Sequence, residues 1–210
     1  MEGVSSVAAK LPQMHEAALH LMEERRPSPI ATYLSILSDA QRYDLTSDAA
    51  LATRTRFNGY YGVRRNAMWR QAFYERFQAM KSDRRPPSAL FENLLQEMFA
   101  VTGRVEASFA SKALATLRPS SPVIDKILRD RLTELVWTPA FGGGIAEAVG
   151  YFRWLTEFMD DLSETSEAEA WSKAFDHAFR SVPGSSRIHL NKKLDFLIWA
   201  ARDVVLAGEN

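Results

Sequence analysis

The sequence predicts an all-α fold. Apolar residues recur at three- and four-residue spacing along most of the 210 residues, whereas alternating runs rich in Val, Ile and Thr are scarce. Hydrophobic residues make up 46% of the chain, enough to bury a sizeable core as one large domain or as two small subdomains that share a cleft. Clusters of proline, glycine and serine separate the periodic stretches, as expected for helices joined by turns.

The periodic stretches predict the helices one by one, at residues 11–25, 29–38, 66–82, 88–101, 105–117, 125–136, 144–161, 166–181 and 190–206. Breaker clusters mark four of the starts: RRPSPI before the second helix, SDRRPPS before the fourth, TPAFGGG before the seventh and VPGSS before the last. The least regular part is 39–65. Its FNGYYG run places two glycines among three aromatic residues, which predicts a turn-rich loop that holds rings near the surface.

Composition excludes several classes of protein. The absence of cysteine rules out disulfides, thiolate zinc sites and cysteine-ligated iron-sulfur clusters. His15 and His20 are five residues apart, so they do not align on one helix face as metal ligands, and we expect neither a metal nor another cofactor. No stretch approaches the roughly twenty apolar residues of a membrane span, and the first residues do not form a basic leader with an apolar core. We therefore expect a cytoplasmic protein without a membrane partner.

The charges cancel overall but are segregated along the chain. The 26 basic and 26 acidic residues give zero net charge, yet residues 54–85 hold nine basic residues against two acidic ones. Residues 157–169 hold six acidic residues and no basic one. Two interpretations stay open: a positive surface that attracts a polyanion, or two solvated faces that compensate each other.

Lys112 lies at the edge of the buried stripe predicted for the helix 105–117. That stripe is formed by Val105, Phe109, Ala113 and Leu117 and is widened by Ala110 and Leu114. The commonest arrangement of such a lysine runs its methylenes along apolar surface and places its ammonium in water. Alternatively the edge borders a cleft, where partial desolvation lowers the pKa of the amine and makes it nucleophilic.

Asp125 follows a serine- and proline-rich turn and precedes the helix KILRDRLTELVW. It fits the N-cap of that helix, where a carboxylate accepts hydrogen bonds from the first free backbone amides. In the alternative, Ser121 is the cap and Pro122 the first helical residue, which places Asp125 one turn into the helix. In both cases the carboxylate lies beside positive backbone dipoles and stays ionised near neutral pH.

The order of a helix with a lysine, a turn, P-V-x-D and a second helix resembles the helix-hairpin-helix DNA glycosylase superfamily, most of all its 8-oxoguanine glycosylase-like members. Lys112 and Asp125 match the two motif positions. The segments FNGYYGVRRNAMWRQAFYERF and KKLDFLIWA also look like parts of small bacterial proteins of this group, so the resemblance covers about residues 55–202. The superfamily's hairpin usually reads Gly, apolar, Gly, any residue, Lys. Here it reads Ser108, Phe109, Ala110, Ser111, Lys112, and the interval to Asp125 is shorter than usual.

The resemblance implies two helical subdomains that flank a cleft, within one domain spanning 1–210. Its parts would be N-terminal helices (1–53), an arginine-rich helical part (54–104), a hairpin-like pair with the lysine and aspartate (105–136) and C-terminal helices (137–210). It also implies excision of a flipped base from double-stranded DNA, with no cofactor, by a monomer. Asp125 would stabilise an oxocarbenium-like sugar and Lys112 would be the nucleophile that forms a Schiff base.

The same resemblance gives candidates for the rest of the site. The base pocket would be formed by Phe57, Tyr60, Tyr61 and Trp69. Trp69 also fits the core, because it recurs with Phe73 and Phe77 at helical spacing, and at most one of the adjacent tyrosines is expected to stack on a base. DNA contacts would come from Arg54, Arg56, Arg64, Arg65, Arg84, Arg85, Ser108 and Ser111.

The substrate would be oxidised guanine, in repair, or a hypermodified phage base such as a modified cytosine, in antiviral defence. Two functions of other classes remain open. A noncatalytic helical DNA-binding or regulatory protein would use the same arginines, with Lys112 at the surface and Asp125 as a cap. In a protein-interaction module, the positive face of one subunit would instead bind the negative face of another.

Overall fold

A computed structural model describes residues 2–26 and 28–205. Within these ranges the chain is all-α, as predicted, and no strand forms. Two short 3₁₀ helices, Asp48–Ala50 and Ser185–Arg187, accompany the α-helices. The α-helices are α1 Glu2–Ala8, α2 Leu11–Glu24, α3 Pro29–Arg42, α4 Leu51–Tyr61, α5 Ala67–Ala79, α6 Pro87–Thr102, α7 Ala107–Leu117, α8 Lys126–Leu135, α9 Ile145–Ser163, α10 Ser166–Ala178 and α11 Leu190–Ala200.

Helices from the two ends of the sequence pack together. α2 packs against α10 and α11, and α1 packs against α8 and α9. In the middle of the chain α3 packs against α4 and α7, while α6 packs against α5, α7 and α9. None of the described helices is long and apolar enough to cross a lipid bilayer.

The prediction of a loop at 39–65 is wrong for most of that segment. α3 continues to Arg42, and FNGYYG forms the last turns of α4 up to its C-cap, Gly62. Gly62 adopts φ 66°, a left-handed conformation that glycine tolerates at a helix end. α4 is helical despite its weak amphipathic pattern because Phe57 is buried against the rings of Phe73 and Phe77.

The other helix boundaries differ only slightly from those predicted from the proline, glycine and serine clusters. Ser28 caps α3 through a hydrogen bond from Ala31 N, and Asn66 caps α5 through one from Trp69 N. α1 was not predicted from the sequence. The last helix ends at Ala200, and the predicted end at 206 lies outside the described residues, as do the domain limits 1 and 210.

Candidate active site

Lys112 is buried in the middle of α7. Nine residues of this helix are buried, since it packs against both α3 and α6, and only 8% of the Lys112 surface is exposed. The edge of the apolar stripe therefore borders a cavity that opens to the surface. α7 begins at Ala107, so Lys112 lies in its second turn.

The Lys112 ammonium has aromatic and backbone neighbours. Its Nζ lies 3.4 Å from the carbonyl oxygen of Tyr61 and 5.7 and 5.5 Å from the ring centroids of Tyr61 and Phe109. No carboxylate of the described chain lies within ion-pair distance of it. Burial lowers the pKa of Lys112 below its ordinary value, while the charges of Asp125 and Asp195 oppose the shift. The amine is therefore easier to deprotonate, and hence more nucleophilic near neutral pH, than an exposed lysine.

Asp125 is the N-cap of α8, and the alternative cap at Ser121 is excluded. Its backbone is extended, and its Oδ1 accepts a hydrogen bond of 3.0 Å from Leu128 N. Ser121 is buried four residues earlier, outside the helix. The Asp125 carboxylate is half-buried and lines the same cavity as Lys112. A carboxylate that is fixed by a helix N-terminus thus faces the space into which the lysine opens.

Ser111 joins the helix of the lysine to the segment of the aspartate. Its hydroxyl accepts a hydrogen bond of 2.9 Å from Ile124 N and donates one of 3.0 Å to the carbonyl oxygen of Ser108. The side chain of Ser111 is fully buried, so it has no surface from which to contact a phosphate, contrary to its predicted role. Ser108 is half-buried, and its carbonyl belongs to this same junction.

The cavity has a volume of about 760 Å³. It is bordered by the end of α2, the start of α3, the end of α4, α7, the approach to α8 and one face of α11. That face runs from Lys192 to Trp199, which is about 10 Å of helix. Among the described residues that line the cavity, five are cationic and two are anionic: Arg25, Arg26, Arg56, Lys112 and Lys192 against Asp125 and Asp195. The arrangement favours an anionic ligand.

A second lysine and aspartate face the cavity from α11. Lys192 and Asp195 are 7% and 9% exposed and form an ion pair. Burial raises the pKa of Asp195, although the charge of Lys192 opposes that shift. Burial alone would lower the pKa of Lys192, but the negative charge of Asp195 and the hydrogen bond to it outweigh burial, so that this pKa lies above its ordinary value. The pKa values of the two cavity lysines, Lys112 and Lys192, are thus shifted in opposite directions.

The charges at the start of α11 form two ion pairs. Lys192 pairs with Asp195 of the same helix. Lys193 instead binds Asp176 of α10, with an Nζ to Oδ1 distance of 2.7 Å. The cavity position of Lys192 was missed, although charges within the otherwise apolar LNKKLDFLIWA are a signal that could have revealed it.

Only two of the four predicted base-pocket residues line the cavity. Tyr60 and Tyr61 both do, with ring centroids 4.8 Å apart in a T-shaped arrangement, although at most one was expected to reach a base. Adjacent helical residues point only about 100° apart, so both can border one wide space. Burial raises the pKa of each hydroxyl, which keeps both tyrosines neutral. Phe57 and Trp69 are buried in the core, as the helical spacing of Trp69 also allowed.

Four of the six predicted DNA-binding arginines already have partners. Arg54 donates to the carbonyl oxygens of Leu45 and Ser47 at 2.8 and 2.7 Å. The other three form ion pairs: Arg56 with Asp39, Arg65 with Glu106 and Arg85 with Asp83. Of these partners only Asp39 and Glu106 are acids outside residues 54–85, so Arg56 and Arg65 are the two of these four whose pairing reduces the positive excess of that segment.

Arg64 and Arg84 are exposed and form no ion pair with any residue in the described ranges. The sequence did not single out Arg25 and Arg26, which line the cavity. Arg25 stacks on Trp199, with 4.8 Å between its guanidinium carbon and the ring centroid. Groups of three or more metal-ligating side chains are absent from the described part of the chain.

No protein-family model, curated protein or solved structure matches this chain. The resemblance to helix-hairpin-helix glycosylases stays a prediction from the sequence. Its central elements are Lys112, the Pro122-Val123 approach and Asp125.

Proposed function

We propose that this protein is a DNA glycosylase that flips a modified base out of double-stranded DNA and excises it in the cavity between α4, α7 and α11. The observation that carries the proposal is that Lys112 and Asp125 line one cavity of about 760 Å³, with the amine desolvated and the carboxylate anchored at a helix N-terminus. This volume lies within the range of ligand-binding cavities in proteins.

Asp125 provides the electrostatic part of the reaction. When the bond between C1′ and the base breaks, positive charge develops on the sugar, and a fixed carboxylate stabilises that charge. One oxygen of Asp125 is held by Leu128 N, which orients the carboxylate before substrate arrives. Preorganisation of this kind requires no rearrangement during the reaction.

Lys112 provides the nucleophile. Its neutral amine attacks C1′, the base leaves with the bonding electrons, and the adduct opens to a Schiff base that can eliminate the 3′ phosphate. The reaction requires a deprotonated amine, and burial lowers the pKa of Lys112 in the required direction. With Asp125 as the only participant, the same site would release the base by hydrolysis and form no adduct.

In this proposal the protein acts as a monomer on double-stranded DNA. Cations at the cavity, together with exposed Arg64 and Arg84, favour a polyanion. Tyr60 and Tyr61 offer aromatic walls for a base that has left the stack. Both substrate classes remain within the proposal: oxidised guanine in repair, and a hypermodified phage base in antiviral defence.

Borohydride trapping tests the proposal. Duplexes that contain 8-oxoguanine, a hypermodified cytosine or a preformed abasic site are incubated with the protein, and base release and covalent adducts are measured separately. We expect release of one modified base and an adduct that is lost in Lys112→Gln. Base release without an adduct would assign the reaction to Asp125 alone.

Lys126→Gln is the matched control, because Lys126 adjoins Asp125 but forms an exposed ion pair with Asp130. This variant should react like the wild type. Salt-sensitive DNA binding without base release on any duplex would replace the proposal with a noncatalytic DNA-binding protein. Absence of binding would favour the protein-interaction module.

A further inference from the structure

The ion pair of Lys192 and Asp195 is costly for the fold. Both side chains are almost fully buried, and the desolvation of two charges commonly exceeds their mutual attraction. A protein in which apolar residues of similar size replace such a pair is commonly as stable as the original or more stable. A buried pair that lines a cavity is therefore a candidate for a chemical role, and the excision described above does not use it.

The two lysine–aspartate pairs form one charge cluster. Lys192 and Asp195 lie three residues apart on the face of α11 that lines the cavity, and Lys112 and Asp125 line the same cavity. The charge of Asp195 acts on Lys112, and the charge of Asp125 acts on Lys192. A group bound at Lys112 would therefore lie within the field of both pairs.

The departing base needs a proton, which Asp125 and Lys112 do not supply. Asp125 is required as an anion beside the sugar, and Lys112 must be neutral in order to attack. Lys192 is held as an ammonium by Asp195 and lies 4.5 Å from the ring centroid of Phe196, a second wall of the cavity. Two groups of one type whose pKa values are shifted in opposite directions are the usual arrangement of an acid and a base in one site.

We propose that Lys192, positioned by Asp195, is the general acid that protonates the base as it leaves. The inference rests on the glycosylase function proposed above. The amine of Lys112 forms a bond to C1′ while the bond from C1′ to the base breaks, and its electron pair moves to the base. The Lys192 ammonium gives one proton to the base and becomes neutral. It then takes a proton from the alkylated nitrogen of Lys112, which restores the ammonium and balances the step.

The double variant Lys192→Met/Asp195→Leu tests this role. It removes one positive and one negative charge, so the net charge around Lys112 is unchanged. The substrates are a duplex with the modified base that the wild type releases and a duplex with a preformed abasic site, which has no base to protonate. We expect base release to fall about a hundredfold, while the borohydride adduct at the abasic site is retained.

Lys192→Arg separates proton donation from charge. Arginine keeps the positive charge and can pair with Asp195, but it does not give up its proton in proteins. We expect this variant also to lose base release and to keep the abasic-site adduct. Retention of base release in Lys192→Arg would show that only the charge is needed, which would overturn the proposed proton transfer.

The neighbouring pair provides the control. Lys193 is equally buried on α11 and pairs with Asp176, yet it does not line the cavity. Lys193→Met/Asp176→Leu should keep base release once the folded fraction, measured by circular dichroism, is taken into account. Equal losses of base release and adduct in the Lys192/Asp195 variant would indicate a structural role and overturn the inference. If the wild type released no base from any duplex, the glycosylase function itself would fail, and the inference with it.

Discussion

The hydroxyl of Ser111 accepts a hydrogen bond of 2.9 Å from the backbone N–H of Ile124. Ser111 precedes Lys112 on α7, and Ile124 precedes Asp125 at the start of α8. The two residues proposed to be catalytic are thus held by a direct, buried link between their immediate neighbours. Ser111 thereby connects α7 to the segment that leads into α8.

Ser111→Ala should loosen that link. The Ile124 N–H would lose its acceptor in a buried environment, which costs about 1–3 kcal/mol of unfolding free energy. Urea unfolding measures this loss. We expect base release by the folded variant to fall as well, because the carboxylate of Asp125 is no longer fixed relative to Lys112. An unchanged free energy of unfolding would mean that the hydrogen bond contributes nothing.

Variants of Asp125 separate its capping role from its chemistry. Asn is as good an N-cap as Asp, so Asp125→Asn should keep the stability of the fold while it slows base release. Asp125→Ala should also lose about 1 kcal/mol of unfolding free energy, because Leu128 N loses its acceptor. Thermal unfolding and base release are measured on both variants. Unchanged base release in Asp125→Asn would remove Asp125 from the mechanism.

The lowered pKa of Lys112 predicts a pH dependence of adduct formation. The rate at an abasic site should rise with pH as the amine loses its proton, with a midpoint below the ordinary lysine value of 10.5. Single-turnover trapping between pH 5 and pH 11 gives this profile. A midpoint at or above 10.5 would contradict the desolvation of the amine.

The same shift predicts that Lys112 destabilises the fold at neutral pH. Between its folded-state pKa and 10.5 the unfolded chain binds more protons than the folded chain, so wild-type stability gains from this group as pH rises. Lys112→Met should therefore be more stable than the wild type at pH 7, and the difference should shrink as pH rises through that window. Urea unfolding at pH 7 and pH 10 tests this, and a less stable variant at pH 7 would refute it.

The free arginines should dominate the salt dependence of DNA binding. Arg64→Ala and Arg84→Ala should each reduce the slope of log K against log salt by about 0.9, the value for one phosphate contact. Arg85→Ala should change the slope less, because this guanidinium binds Asp83 at 2.9 Å and holds the pKa of that carboxyl at about 2. Fluorescence anisotropy at several salt concentrations gives the slopes. An equal change in all three variants would show that Arg85 leaves Asp83 when DNA binds.

The sequence predicted structure best where the signals were local. Proline and serine before α3 and Asp125 before α8 mark helix starts, because a cap satisfies backbone amides within its own turn. α4 was missed because its helix depends on Phe57 packing against α5, a contact with residues far along the chain. The aromatic and glycine content of FNGYYG therefore suggested a loop where tertiary packing produces a helix.

By itself the sequence determined the all-α class, a helix start near Asp125 with either Asp125 or Ser121 as its cap, and the candidacy of Lys112, since these follow from periodicity and from short motifs. Only the tertiary structure decided that Lys112 is desolvated, that Lys192 and Asp195 join it at one cavity, and that four of the six arginines are already paired. Burial and long-range pairing depend on which helices meet. A lysine at the edge of an apolar stripe has the same local sequence whether it faces water or a cavity.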